Sequence, residues 1–359
     1  MKKIIVNATA LRAGGALTIL RQFIDAIPND GYNYLVFVDI SVEIKCSQPN
    51  VEIVVQNVLS FYKRFMWDAF GLKKWLKKNK IQAIAGISLQ NTNFRLDEKC
   101  PNYIYYHQSI PLVPLNWSIL RANERNLWFY KNIYPYFVKI FINHRTEIFV
   151  QLEFIKSSFA QVYNFPRKRI HVVFPKIEFP TSIDDFQLKL DHTCLNVFYP
   201  ASNVFFKNHA VLFNAFSKID KRLDRKIKLY LTNNEADFEI PKDLVNIEFV
   251  FLGQIPHKGV LWMFKNADAL LFPSYIETLG LPLIEAAHFG LAIIAADLPY
   301  AREVLAGYKG VVFANYKSPE AWGVEILKLT YENKNRFDCY NKEDIKSWSY
   351  LFDTLIEKI

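Results

Sequence analysis

Two glutamates with seven residues between them, Glu277 and Glu285, bracket the string ETLGLPLIEA. Gly280 permits a tight turn there, and Pro282 suits the first turn of a helix, where a missing N–H costs nothing. The N–H groups of Gly280, Leu281 and Leu283 would then stand at the positive end of a helix dipole, a place that holds an anion such as a diphosphate. A carboxylate would repel that anion, so the two glutamates need other partners. Sugar and ribose hydroxyls serve, because an ionised carboxylate accepts from two hydroxyl donors at once. An anion-binding helix start with two flanking carboxylates is a physical template for a nucleotide sugar. A salt-bridged glutamate beside a plain βα turn would leave similar letters, and for either glutamate alone that reading would stand.

The longer string PSYIETLGLPLIEAAHFGLAIIAADLPYAREV, from Pro273 to Val304, resembles the retaining glycosyltransferases of family 4, which have the GT-B fold. The resemblance extends weakly over the whole chain. It implies that Glu285 holds the donor ribose, that Glu277 contacts the transferred sugar, and that Thr278, Gly280 and Leu281 adjoin the sugar or phosphate. Leu279 stands where the family usually has Phe. FYPASNVFFKNHAVLFNAF, from Phe198, resembles the first strand and helix of the family's donor domain, which implies that Lys207 lies on the diphosphate. A cation there would neutralise charge building on the leaving nucleotide; the bland reading is an exposed lysine at a helix start, which the dipole disfavours. Many relatives bring an arginine a few residues earlier, where this chain has Ala201, Ser202 and Asn203. Ser202 and Asn203 can supply neutral hydrogen bonds in its place.

Two sites in the first half are implied by the same resemblance. Gly14 and Gly15 fall where the family has a glycine-rich loop that lets backbone approach the phosphate or acceptor, although any tight βα turn uses such residues. His107, in YYHQSIPL, resembles a histidine that touches the transferred sugar; a buried structural histidine is the competing reading. His209 and His288 read as packing or helix-surface residues.

The elements that must position these residues alternate from end to end. Strands are expected at Lys3–Ala8, Tyr34–Asp39, Val51–Val55, Ala83–Ser88, Asn102–His107 and Glu147–Gln151, with helices at Ala16–Ala26, Phe65–Asn79 and Asn116–Ile133. Phe174–Asp191, with Pro175, Pro180, Asp184 and Asp185, reads as a linker. Strands then follow at Leu195–Tyr199, Lys228–Thr232, Ile247–Leu252, Ala269–Phe272, Ala292–Ala296 and Gly310–Phe313. Helices are expected at Lys207–Ile219, Lys258–Asn266, Leu281–Phe289, Pro319–Tyr331 and Lys342–Lys358. Continuous apolar strands separated by helices mean parallel sheets covered on both faces. The expectation is an α/β chain of two Rossmann-like, doubly wound domains facing across a cleft: acceptor domain 1–180, donor domain 181–340, and a last helix, 341–359, that crosses back.

With 359 residues, 51% of them apolar, the chain has material for two cores. Cys46, Cys100, Cys194 and Cys339 are scattered, which suggests neither a zinc site nor a disulfide framework and suits a cytoplasmic protein with reduced thiols. MKKIIVNATAL reads as a first strand rather than a signal peptide. No metal motif of the DxD type stands between strands, so no metal or other cofactor is expected beyond the nucleotide-sugar co-substrate. The net charge of +9 permits nucleic acid, but no recognition motif accompanies it. Aromatic and basic residues interleave at 61–80 and 117–145, the latter broken by Pro135. Such surfaces suit contact with the inner leaflet of a membrane, and ordinary helices with buried aromatics explain the same letters. The expected partners are a nucleotide-sugar donor and a glycan or lipid-linked acceptor of surface-polysaccharide synthesis. The rival readings are an epimerase of the same fold and a catalytically weak glycan- or nucleotide-binding subunit.

Overall fold

In the computed structural model, residues 2–175, 177, 179–180, 186, 188–331, 336–341 and 346–359 are described. Asp184 and Asp185 of the expected linker, and Lys342 at the expected start of the last helix, lie outside them. The chain divides into two units, Met1–Ile177 with Asp344–Ile359, and Glu178–Glu343.

The first unit is built on seven strands: β1 (Lys2–Asn7), β2 (Tyr34–Asp39), β3 (Val51–Gln56), β4 (Gln82–Ser88), β5 (Asn102–Tyr106), β6 (Thr146–Val150) and β7 (Ile170–Val172). All pair in parallel, in the order β3-β2-β1-β4-β5-β6-β7. Every residue of β2, β5 and β6 is buried, which is why these strands read as unbroken apolar runs rather than alternating ones. The order reverses between β1 and β4, and the crevice at their carboxyl ends is where such sheets bind ligands.

Helices α1 (Gly14–Asp25), α2 (Phe61–Met66), α3 (Leu72–Lys78), α4 (Arg125–Asn132), α5 (Tyr134–Lys139) and α6 (Glu153–Tyr163) cover the sheet. α1 starts two residues before its expected place, because Gly14 takes a φ of +56° and turns the chain directly into the helix. The expected helix Asn116–Ile133 is shorter, and only α4 forms. Upstream of it, Glu124 turns back to accept from the Ser118 N–H at 2.7 Å, which holds the chain in turns. Pro135 opens α5, as its fixed φ favours. Between α2 and α3 a π turn, Trp67–Gly71, directs Asp68 inward. Its carboxylate accepts from Asn7 Nδ2 at 2.7 Å and Gln90 Nε2 at 2.8 Å, joining the carboxyl ends of β1 and β4.

The last helix, α12 (Trp348–Ile356), belongs to this unit. Trp348, Leu351, Phe352 and Leu355 recur at helical spacing and are buried. Trp348 packs edge-on against Phe23 of α1 at 5.4 Å and lies 4.6 Å from Tyr105 of β5. Beyond the helix, Lys358 pairs with the buried Glu147, which also accepts from His171 Nε2 at 2.9 Å.

The second unit repeats the plan with six parallel strands: β8 (Leu195–Tyr199), β9 (Ile227–Leu231), β10 (Ile247–Phe251), β11 (Ala269–Phe272), β12 (Ala292–Ala296) and β13 (Val311–Ala314). Their order, β10-β9-β8-β11-β12-β13, reverses between β8 and β11. Among the described residues five α-helices accompany them: α7 (His209–Ile219), α8 (His257–Asn266), α9 (Leu281–His288), α10 (Pro299–Val304) and α11 (Pro319–Tyr331). Both units are Rossmann-like. Because Trp348 joins α1 to β5 in one aromatic cluster, Trp348→Ala should destabilise the first unit by about 3–5 kcal/mol; urea denaturation followed by circular dichroism checks this.

Candidate active site

The reversal point of the second sheet brings two loops together. After β8 the chain passes Ala201–Val204 and enters a 3-10 turn, Phe205–Lys207. After β11 it runs from Pro273 to Leu279 before entering α9. The backbone N–H of Tyr275 donates to the carbonyl of Phe206 at 3.0 Å and ties the loops. Lys207 Nζ meets Glu277 Oε1 at 2.5 Å, and the two side chains are only 19% and 14% exposed. The Tyr199 hydroxyl donates to the Lys207 carbonyl at 2.6 Å and fixes the base of the lysine.

Lys207 does not begin a helix, as the sequence had suggested. Asn208 takes a left-handed φ of +62° and separates the 3-10 turn from α7, and its Nδ2 donates to the Tyr316 carbonyl at 2.8 Å. Lys207 therefore stands one residue ahead of the α7 N-cap rather than inside its first turn.

Gly280 caps α9 at a φ of +71°, which L side chains rarely adopt. A Cβ there would stand 3.2 Å from the Tyr300 ring. The Leu283 N–H, expected to face an anion, instead donates to the Gly280 carbonyl at 2.9 Å. This tight first turn leaves Gly280 and Leu281 as the N–H groups that precede the first bond of the helix. Thr278 and Leu281 are half-buried. Glu285, one turn further, is 7% exposed, and its Oε1 lies 2.7 Å from Nε2 of His257, the first residue of α8. Hydrogen bonding to this carboxylate raises the imidazole above its ordinary pKa. Of the two residues standing for the absent arginine, Ser202 is exposed, and Asn203 gives its Nδ2 to the Asp237 carbonyl at 2.9 Å.

The remaining candidates lie in the first unit. A Cβ at Gly14 or Gly15 would meet nothing within 4 Å, so both backbones are open. Arg12 pins the loop before them, donating to the carbonyls of Val58 and Leu59 at 2.7 and 2.8 Å and pairing with Asp39 at 3.3 Å. His107 gives Nε2–H to the Leu89 carbonyl at 2.9 Å, and burial lowers its pKa, which keeps the ring neutral. Among the described residues no group of three or more His, Cys, Asp or Glu could hold a metal ion.

Residues 13–178 match the sequence family described as Glycosyltransferase Family 4, and residues 182–344 match Glycosyl transferases group 1. The chain belongs to glycosyltransferase family 4. It is 23% identical over 243 residues to the O-antigen chain mannosyltransferase RfbU of Salmonella typhimurium, covering 65% of this chain and 67% of that protein. WaaG, a glycosyltransferase involved in lipopolysaccharide biosynthesis, superposes with a TM-score of 0.63 at 16% identity, over 92% of this chain and 91% of WaaG. HepE of Anabaena, in complex with UDP-glucose, gives 0.60 at 12% identity, over 99% and 98% of the two chains. At these identities the structural likeness is one of fold, and that fold is GT-B.

Sequence reasoning about this glycosyltransferase missed His257 and Tyr300. His257 is separated from Glu285 by most of α8, β11 and the loop after it, and only the packing of α8 against α9 unites them. Tyr300 was within the quoted string, but its hydroxyl, 2.6 Å from the Ser274 carbonyl, carries no signal in sequence. His209 proves to be a packing residue: it is buried beside Tyr199 and Phe238, and burial pushes its pKa down to about 4. The unfolded chain therefore binds more protons than the folded glycosyltransferase between about pH 4 and 6.5, and stability falls as the pH drops through that window. Between pH 7 and 5 this group should remove about 2 kcal/mol from the second unit. Urea midpoints should lose that part of their pH dependence in His209→Phe.

Proposed function

We propose that this glycosyltransferase moves a sugar from a nucleoside-diphosphate sugar to a glycan or lipid-linked oligosaccharide, with retention of configuration and without a divalent metal ion. The observation that carries the reading is the Lys207–Glu277 pair beside the start of α9, with Glu285 one turn further in. Lys207 and the N–H groups of Gly280 and Leu281 are suited to the charge that collects on the departing diphosphate. Glu285 accepts from the ribose hydroxyls. Glu277 aims the lysine and takes a hydroxyl of the transferred sugar. Thr278, Ser202 and Asn203 border the donor, and Ser202, whose side chain is exposed while the Asn203 amide is given to the Asp237 carbonyl, supplies a neutral hydrogen bond where an arginine is absent.

In this reading the bond from the anomeric carbon to the phosphate oxygen breaks as the acceptor oxygen bonds to the same face of that carbon. The departing phosphate oxygen takes the acceptor's proton. The protein contributes position and charge stabilisation and no covalent intermediate. Neutral His107 is suited to hydrogen-bond a sugar hydroxyl, and the open backbone at Gly14 and Gly15 to admit the phosphate or acceptor. Likeness to an O-antigen chain mannosyltransferase and to WaaG supports a place in surface-polysaccharide synthesis; the location we propose for it is the cytoplasmic face of the inner membrane.

A thermal-shift screen against UDP, GDP, ADP, CMP and their sugar conjugates identifies the donor class, since a ligand of the folded state raises its melting point. With that donor, Glu285→Ala should weaken binding by about 10- to 100-fold, the loss of a charge-assisted hydrogen bond. Lys207→Ala should lower turnover by about 100- to 1,000-fold, as removal of one such stabilising group does elsewhere. If melting falls while turnover per folded molecule holds, Lys207 is a structural residue only. The product's anomeric configuration by NMR tests retention, and activity unchanged by EDTA tests independence from metal.

No helix among the described residues is long and apolar enough to cross a membrane. Peripheral contact is supported by the first unit, where Phe61 of α2 packs on Phe137 of α5 at 5.1 Å, and Tyr62, Met66 and Phe70 recur every four residues with exposures of 70%, 38% and 55%. Lys63, Lys73 and Lys74 accompany them, an arrangement suited to an anionic interface. The protein should sediment with phosphatidylglycerol vesicles and not with phosphatidylcholine ones, and Tyr62→Glu with Phe70→Glu should abolish this. Equal sedimentation with both lipids would remove the membrane from the account.

A further inference from the structure

Glu285 is 7% exposed, and its Oε1 is bonded to an imidazole whose side chain is itself 62% exposed. His257 forms no other hydrogen bond among the described residues than the one to Glu285 Oε1 at 2.7 Å. It follows Pro256, the N-cap of α8, and rotation of the His257 side chain would break the contact without moving the helix. A ribose that takes Glu285 Oε1 as its acceptor must displace this ring. Two hydroxyls could take the place of one N–H without loss of hydrogen bonds to the carboxylate.

We propose that His257 is a latch on the donor site: in the empty protein its Nε2–H closes over Glu285, and the ribose of an incoming nucleoside diphosphate displaces it. The inference rests on the reading of Glu285 as the ribose acceptor.

Contact with Glu285 holds the imidazole above its ordinary value, and separation returns it towards about 6.5. The latched form thus binds more protons than the open one, and donor affinity should rise with pH across that window. Glu285 is the charged group that faces the ring from α9. His288, also on α9, stacks instead on Phe179 at 3.7 Å. α8 itself carries Lys258 and Lys265, and the loop 253–256 carries no charge.

Isothermal titration with UDP, GDP and ADP in turn, at about pH 6.5 in buffers of different ionisation enthalpy, counts the protons released. The terminal phosphate ionises in the same range, so wild type is compared with His257→Ala and His257→Gln. Wild type should release a fraction of one proton more per nucleotide than either variant. The variants should bind about 3- to 10-fold tighter near pH 6, with affinities converging by about pH 8.5. Inorganic pyrophosphate, which lacks ribose, should show no such difference between wild type and variants. Equal proton counts for the nucleotides, or variants that bind more weakly at every pH, would overturn the latch and leave the donor site standing. Failure of all three nucleotides to bind wild type would overturn the donor reading, and the latch with it.

Discussion

A lysine ammonium and a carboxylate held at 2.5 Å, with most of their surface out of water, set the terms for the second unit. Removing two charges from solvent is costly, and their attraction offsets that cost only where the geometry is fixed beforehand. Here the fixing comes from backbone. The Tyr199 hydroxyl holds the Lys207 carbonyl, the Tyr275 N–H holds the neighbouring Phe206 carbonyl, and Asn208 bridges to Tyr316. The loop after β8 is thereby tied to the loop after β11 and to the segment after β13. A site of this kind can present positive charge to a ligand without rearranging first, which is what electrostatic stabilisation of a departing group requires.

The two units share a strand order but differ at the carboxyl ends where it reverses. In the first, Asp68 is buried under the amides of Asn7 and Gln90, and burial raises its pKa to about 7. That cluster joins β1 to β4 through hydrogen bonds and offers little net charge outward. In the second, the corresponding place holds a paired lysine and glutamate beside a helix start. Two sheets with one topology thus carry different chemistry at the reversal point, a buried amide–carboxylate cluster in the first and a lysine with a helix start in the second.

The strands were legible in sequence because a parallel sheet covered on both faces demands unbroken apolar runs, and YLVFVD, NYIYY and TEIFV supply them. β7 was not legible, since three residues, IHV, make no pattern. Helix starts were misplaced where one residue's backbone decided the outcome: Gly14 and Asn208 take positive φ, and neither periodicity nor composition records that. At the candidate site, the glycine, proline and carboxylates of ETLGLPLIEA were readable because each acts through local geometry. The pairing of Lys207 with Glu277 and of His257 with Glu285 was not, because each contact closes a long loop and depends on packing.

The same distinction explains why the informative string runs on to PYAREV, well past the residues that would touch a donor. Gly280 must turn at +71°, and Tyr300 lies against it so closely that an added Cβ would stand 3.2 Å from the ring. The Tyr300 hydroxyl reaches the Ser274 carbonyl at 2.6 Å, on the loop that carries Glu277. One tyrosine at the start of α10 therefore sets both the floor beneath the α9 cap and the path of the loop before it. Pro299 makes that placement firm, because its fixed φ suits the first turn of α10. A residue with no proposed contact to substrate thus shapes the candidate site by packing.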